Sequence, residues 1–249
     1  MFVAVSNRCF PDIPLNHCLG RLADLEYSAV EIAIGDKTCD LKPEWILEDL
    51  SLMARYALCC RQITPVSFFF DVETDDPQYY EKFDACCKLA QKIKVVPITI
   101  KSSLLGTPYN EEFERLRRLA RMGVQQGLII GVLTEIGRFT ESPESVLSLC
   151  KNIPELSVTL DPSCYIYQRE HNIDYDSIID YVCHVRLRDT TQKHFQVQIG
   201  LGILEYGRLV IQLNKSHYQR ALCADLAPLP DINQESELRK MRLLIESIL

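Results

Sequence analysis

The chain has 249 residues, 47% hydrophobic and 24% charged, enough to bury a full core as one globular domain. Its formal charge of −7 argues against nucleic acid as the main partner, since proteins that bind it present a basic surface. No apolar run approaches the roughly 18 residues of a membrane span and no secretory leader precedes Phe2, so a cytoplasmic protein with no membrane partner is expected. The eleven cysteines sit inside helical and strand patterns without the paired spacing of a zinc knuckle, and they read as reduced, buried small hydrophobes.

The first predicted element is the strand FVAVS at 2–6, followed by the loop NRCFPDIP. Pro14 opens a helix whose Leu15, Leu19, Leu22 and Leu25 share one face. AVEIAI at 29–34 is a second strand, with Glu31 inside an apolar run and therefore aimed into a barrel interior or at a partner. A helix is expected over 43–56, a strand ending in VSFFFD, and a helix from Asp76-Pro77 to about Ile93. VVPITIKS at 95–102 is the fourth strand, and 110–125 is a charged amphipathic helix.

The second half keeps the rhythm. Strands are expected at 128–135, 156–161, 183–190 and 218–225, with helices over 142–150, 175–181, 206–213 and 232–248. Alternating strands and helices with near-continuously apolar strands imply a parallel sheet buried on both faces. Eight such units in about 250 residues favour a closed (β/α)8 TIM barrel as a single domain over 1–249. No glycine-rich phosphate loop of the Walker or dinucleotide type follows the first strand.

In such a barrel the chemistry sits at the C-terminal strand ends. Those ends carry Asn7 and Arg8, Glu31, Asp71, Lys101, Glu135, Asp161, then Arg186, Arg188 and Asp189, and finally Asp225. In CHVRLRDT, alternation places His184, Arg186 and Arg188 on one strand face. Three basic groups on a core strand need carboxylates or an anionic ligand opposite them. Glu135, Asp161 and Asp225 would repel one another unless a cation lies between them, either a divalent metal or the guanidinium of Arg186. Asp71 and Asp189 read as caps or loop acids, and Glu31 as a core-edge carboxylate paired with an arginine. Asn7, Arg8, Phe10, Phe68 and Gln198 are candidates to face a substrate, and Lys101, Arg138 or Arg188 could hold a phosphate.

The segments TEIGR, TLDPSCY and HVRLRDT, with GLGILEYGRLV after them, resemble the xylose isomerase-like TIM-barrel family of sugar phosphate isomerases and epimerases across essentially the whole chain. The resemblance implies a divalent metal (Mn, Zn, Co or Mg) held by a glutamate ending strand five, an aspartate ending strand six, a histidine on strand seven and a glutamate on strand eight. Two metal-bound acids then shuttle a proton between neighbouring sugar carbons. Glu135 and Asp161 match that set, and Asp225 takes the place of the last glutamate. Arg186 stands at the histidine position, and Cys164 where the family has a further histidine. Arginine offers no lone pair to a metal.

Two readings follow on one scaffold. In the first, Glu135 and Asp225 are the acid/base pair of a sugar or sugar-phosphate isomerase or epimerase, with metal assistance from Glu135, Asp161 and Asp225. Asn7, Arg8, Lys101, Cys164, His184, Arg186 and Arg188 would then bind the substrate. In the second, the barrel is metal-free, catalytically lapsed or divergent, and binds an anionic metabolite through Arg186 and Arg188. The resemblance implies a homo-oligomer. An endonuclease branch is rejected, because the chain has only five histidines and a negative net charge.

Overall fold

Residues 1–35 and 41–249 are described by a computed structural model. Strands β1 (Phe2–Ser6), β2 (Ala29–Gly35), β3 (Thr64–Asp71), β4 (Pro97–Ile100), β5 (Ile129–Leu133), β6 (Leu156–Leu160), β7 (Val182–Leu187) and β8 (Ala221–Ala224) pair in parallel and in chain order, and β8 closes on β1. The expected (β/α)8 barrel is the fold. Its described helices are α1 (Leu15–Asp24), α2 (Pro43–Glu48), α3 (Leu50–Ala57), α4 (Tyr79–Ile93), α5 (Tyr109–Gln125), α6 (Pro143–Asn152), α7 (Tyr206–Lys215) and α8 (Gln234–Glu246). None of the described helices is long and apolar enough to cross a membrane.

Local chemistry sets the element ends. Leu15, Cys18, Leu19 and Leu22 give α1 one buried face. In α6, Pro143 occupies the first turn, and the Ser142 hydroxyl accepts from the Ser145 N–H at 3.2 Å. The single helix expected over 43–56 is two helices. Asp49 leaves helical geometry at φ −147°, and its carboxylate accepts from Leu52 N at 2.8 Å, starting α3. The helix expected over 175–181 before β7 is a 3-10 helix, Asp176–Tyr181. The ten cysteines among the described residues are free and most are buried, and Cys39 lies outside those residues.

Side chains of alternate residues fill the barrel in layers. Ala4, Ala29, Ala221 and Cys223 make a small apolar layer at one end. Above it lies a polar layer of Glu31, Ser67, Thr99, Thr159, His184 and Arg186, all essentially out of solvent. Ala33, Phe69 and Leu133 form an apolar layer towards the C-terminal mouth. The parity of β3 therefore sends Phe69 inward. Phe68, expected to face a substrate, is packed in the main core instead.

Candidate active site at the barrel mouth

β7 supplies the axis of the site. Its inward residues step from the buried interior to the rim, His184 and Arg186 meeting Glu31 and Arg188 meeting Asp161 and Asp225. His184 Nε2 lies 2.9 Å from Glu31 Oε2 and 3.3 Å from Ser67 Oγ, while its Nδ1 finds no hydrogen-bond partner among the described residues. Arg186 donates from Nη2 to Glu31 Oε1 at 2.6 Å and from Nε to Glu31 Oε2 at 3.3 Å. Its guanidinium lies 3.9 Å from the centre of the Phe69 ring. Burial would raise the Glu31 carboxyl, but the Arg186 charge and the His184 hydrogen bond outweigh it and hold the pKa at about 2. Glu31 is thus the core carboxylate paired with an arginine that the sequence suggested.

One step further up, Arg188 joins the ends of β6 and β8. Its Nε donates to Asp161 Oδ2 at 3.1 Å, and its Nη2 reaches the same oxygen at 3.0 Å and Asp225 Oδ2 at 2.8 Å. The Phe195 ring, from the loop after β7, lies 4.6 Å from this guanidinium. Asp161 Oδ1 accepts from Ser163 N at 3.0 Å, and Thr134 Oγ1 accepts from Asp161 N at 2.8 Å, tying the ends of β5 and β6 together. Asp225 Oδ2 also has Arg186 Nη1 and Arg8 Nη1 at 3.8 Å each. Burial would raise the Asp225 carboxyl, but Arg8, Arg188 and Arg186 hold it well below the usual carboxylate range. The arginine expected between the two aspartates was Arg186. The structure gives that place to Arg188, because Arg186 lies two residues deeper, at the level of Glu31.

The other side of the mouth is more open. Lys101 at the end of β4 pairs with Asp71, and with Glu73 at 3.0 Å. Burial would lower the Lys101 pKa, but these two acids raise it. Arg138 reaches Glu73 at 3.1 Å and Ser102 O at 2.7 Å. Its Nε is 2.9 Å from Glu135 Oε2, close enough for an ion pair but without hydrogen-bond alignment, so that buried oxygen keeps no hydrogen-bond donor. The Glu135 side chain is 36% exposed. Arg138 also lines a cavity of about 270 Å³ with Leu105, Phe139, Glu141, Ser142 and Arg169. This sector is held from below by Glu112 of α5, which is fully buried. It accepts from Ser103 N at 3.0 Å and from Arg115, whose Nη2 in turn donates to Lys101 O at 2.9 Å.

Several expected substrate contacts are corrected by burial. His184, Arg186 and Cys164 are each at most 1% exposed, so no ligand reaches them. An anionic metabolite held through Arg186 is excluded for the same reason, since its guanidinium is committed to Glu31. Burial also pushes the Cys164 thiol far up, so it stays protonated. Asn7 is nearly buried and accepts from Ala33 N at 2.8 Å, whereas Arg8 is about one-third exposed at the rim. Phe10 packs under Arg21, 4.9 Å from its guanidinium. Asp189 is the loop acid expected. Its Oδ2 accepts from Gly200 N at 2.7 Å, and a Cβ on Gly202 would sit 1.9 Å from its Oδ1, which explains the glycine pair. Phe69, Glu73 and Phe195 were not read as site residues. Alternation within β3 puts Phe69 on the same face as Ser67, but which face turns inward is not marked in the sequence, and nothing there marks the other two.

The residues present do not fit the divalent metal that the resemblance implies. Asp161 and Asp225 already share one guanidinium, Arg186 stands where the resemblance places a histidine ligand, and Glu135 pairs with Arg138. A divalent ion about 4 Å from one guanidinium is repelled by roughly 8 kcal/mol at an effective dielectric constant of about 20. Among the described residues, Glu31, His184 and Cys223 bring ligand-type atoms within 4.8 Å of one another. Both Glu31 oxygens are taken by Arg186 and His184, and burial holds the Cys223 thiol well above its ordinary pKa and so neutral, so this cluster does not fit a metal either.

No protein-family model matches the sequence, and no curated protein matches it. Solved structures do share the fold. A D-allulose 3-epimerase from Methylomonas sp. superposes with a TM-score of 0.76 at 13% identity, over 100% of this chain and 98% of that one. A xylose isomerase-like TIM-barrel protein from Mycobacterium smegmatis, in complex with magnesium, gives 0.75 at 12% identity over 99% and 97%. A D-tagatose 3-epimerase-like protein gives 0.73 at 17% identity over 99% of each chain. At these identities the likeness establishes a shared (β/α)8 barrel fold, and function has to be argued from the site.

Proposed function

We propose that this barrel acts on a small sugar or sugar phosphate as an isomerase or epimerase, with proton transfer carried by its own side chains in the open sector of the mouth. The observation that carries the reading is Glu135. It follows β5, leaves 36% of its side chain open to solvent, and is paired with Arg138, which itself lines a cavity of about 270 Å³. A carboxylate that solvent reaches can take the proton from a carbon next to a carbonyl. Lys101 and Arg138, both cationic and close by, would stabilise the negative charge that develops on the substrate oxygen. The fold shared with sugar epimerases supports the same substrate class.

Asp225, expected as the second acid, is held ionised by three guanidinia and does not exchange a proton near neutral pH. One available carboxylate suits a proton shift on a single face of the substrate, as in aldose–ketose isomerisation. Epimerisation, which inverts a carbon, needs groups on both faces. The locked Asp225 also favours the second reading, a metal-free barrel that binds an anionic metabolite without turning it over.

The deciding experiment incubates the protein in deuterium oxide with a panel of aldoses, ketoses and their phosphates, and follows deuterium at the carbon next to the carbonyl. Incorporation that disappears in Glu135→Gln while the fold is retained supports isomerisation. Saturable binding without incorporation establishes the second reading, and neither binding nor exchange overturns both.

A further inference from the structure

We infer that Arg188 is a tethered cation standing where a divalent metal would sit, and that removing its guanidinium uncovers a latent metal site between Asp161 and Asp225. The inference is independent of whether Glu135 moves a proton. β7 lies between β6 and β8, so a side chain rising from its end necessarily arrives between the acids that end its two neighbours. Oxygens of two separate carboxylates converge on one nitrogen of Arg188, at 3.0 Å from Asp161 and 2.8 Å from Asp225. Such convergence is what a cation-binding point looks like. Asp161 cannot swing away, because its second oxygen is tied to Ser163 N. Phe195 covers the outer face of the guanidinium.

The charges balance around this substitution. Arg8, Arg186 and Arg188 face Glu31, Asp161 and Asp225, three cations against three anions. Arg186 and Arg188 together carry the two positive charges that one divalent ion would bring, and unlike an ion they cannot dissociate or be chelated. Arginine has no lone pair and keeps its proton, so the replacement gives up Lewis acidity and retains only charge. The acids that end β6 and β8 remain, and with them the geometry for a metal.

The test measures Mn²⁺ binding, from the paramagnetic resonance signal of the free ion, together with the thermal midpoint. The unaltered protein, Asp161→Asn, Arg188→Lys, Arg188→Met, Arg188→Gln and the double variant Asp161→Asn/Arg188→Met are compared. Expected is no saturable site in the unaltered protein or in Arg188→Lys. One Mn²⁺ per chain should bind Arg188→Met or Arg188→Gln at least roughly tenfold tighter, raise the midpoint, and be lost in the double variant. Variants that fold only when Mn²⁺ is supplied also support the inference. It is overturned if the unaltered protein binds one Mn²⁺ that Asp161→Asn abolishes. It is equally overturned if folded Arg188→Met and Arg188→Gln bind no tighter than the unaltered protein, or if both fail to fold with and without Mn²⁺.

Discussion

On the β6–β8 side of the mouth, the Asp161 and Asp225 side chains are 5% exposed and share one guanidinium. On the β3–β5 side, Glu73 and Glu135 are held by Lys101 and Arg138 with 43% and 36% of each side chain open to solvent. Both sectors pair acids with bases, and the difference lies in where the bases come from. Arg186 and Arg188 project from a core strand and are enclosed by its neighbours, so their partners are buried with them. Arg138 is as enclosed as Arg188, but it and Glu73 belong to loops beyond the strand ends, and water reaches the acids paired there. The closed sector keeps the charge pattern of a metal site without its chemistry, and the open sector has the groups free to act on a ligand.

The strongest way to break this contrast is to remove a charge from the closed sector. Arg186→Met leaves Glu31 fully buried without its main partner, and a loss of about 3–5 kcal/mol is expected from chemical denaturation. The double variant Glu31→Gln/Arg186→Met should recover most of it, because the penalty belongs to the unpaired charge rather than to the missing contact.

Acid should act on the same sector. The Glu31 carboxyl is depressed from 4.5 to about 2, so its contribution is fully present above pH 4.5 and is lost as pH falls through 2. A fall in unfolding free energy on the order of 3 kcal/mol over that window is expected. In Glu31→Gln the part due to this group should vanish. A profile unchanged by Glu31→Gln would mean that the depressed carboxylate lies elsewhere.

A smaller effect tests how the loop over Arg188 is held. In Gly202→Ala the new methyl group meets the Asp189 carboxylate, and a loss of about 1–3 kcal/mol is expected in thermal unfolding as the loop shifts. The smallest effect belongs to the open sector. Glu135→Gln should change stability by no more than about 1 kcal/mol, since its ion pair with Arg138 is partly solvated. A large loss there would place Glu135 among the structural charges.

The sequence by itself determined the barrel. Apolar strands, helices with one buried face and eight repeats of the unit leave few other ways to cover both faces of a parallel sheet. It also determined that His184, Arg186 and Arg188 share one strand face and need carboxylates or an anion opposite them, since alternation along a strand is a local property. Depth was not local. Which arginine meets Glu31 and which joins Asp161 to Asp225 depends on how β7 is staggered against β2, β6 and β8, and that stagger is set by closure of the whole sheet. The same closure buried Arg186 and His184 beyond the reach of any ligand, turned Phe69 inward in place of Phe68, and left Glu135 partly open to solvent. Glu73 and Phe195 entered the mouth from loops whose paths no periodicity describes, so only the folded chain could bring them there.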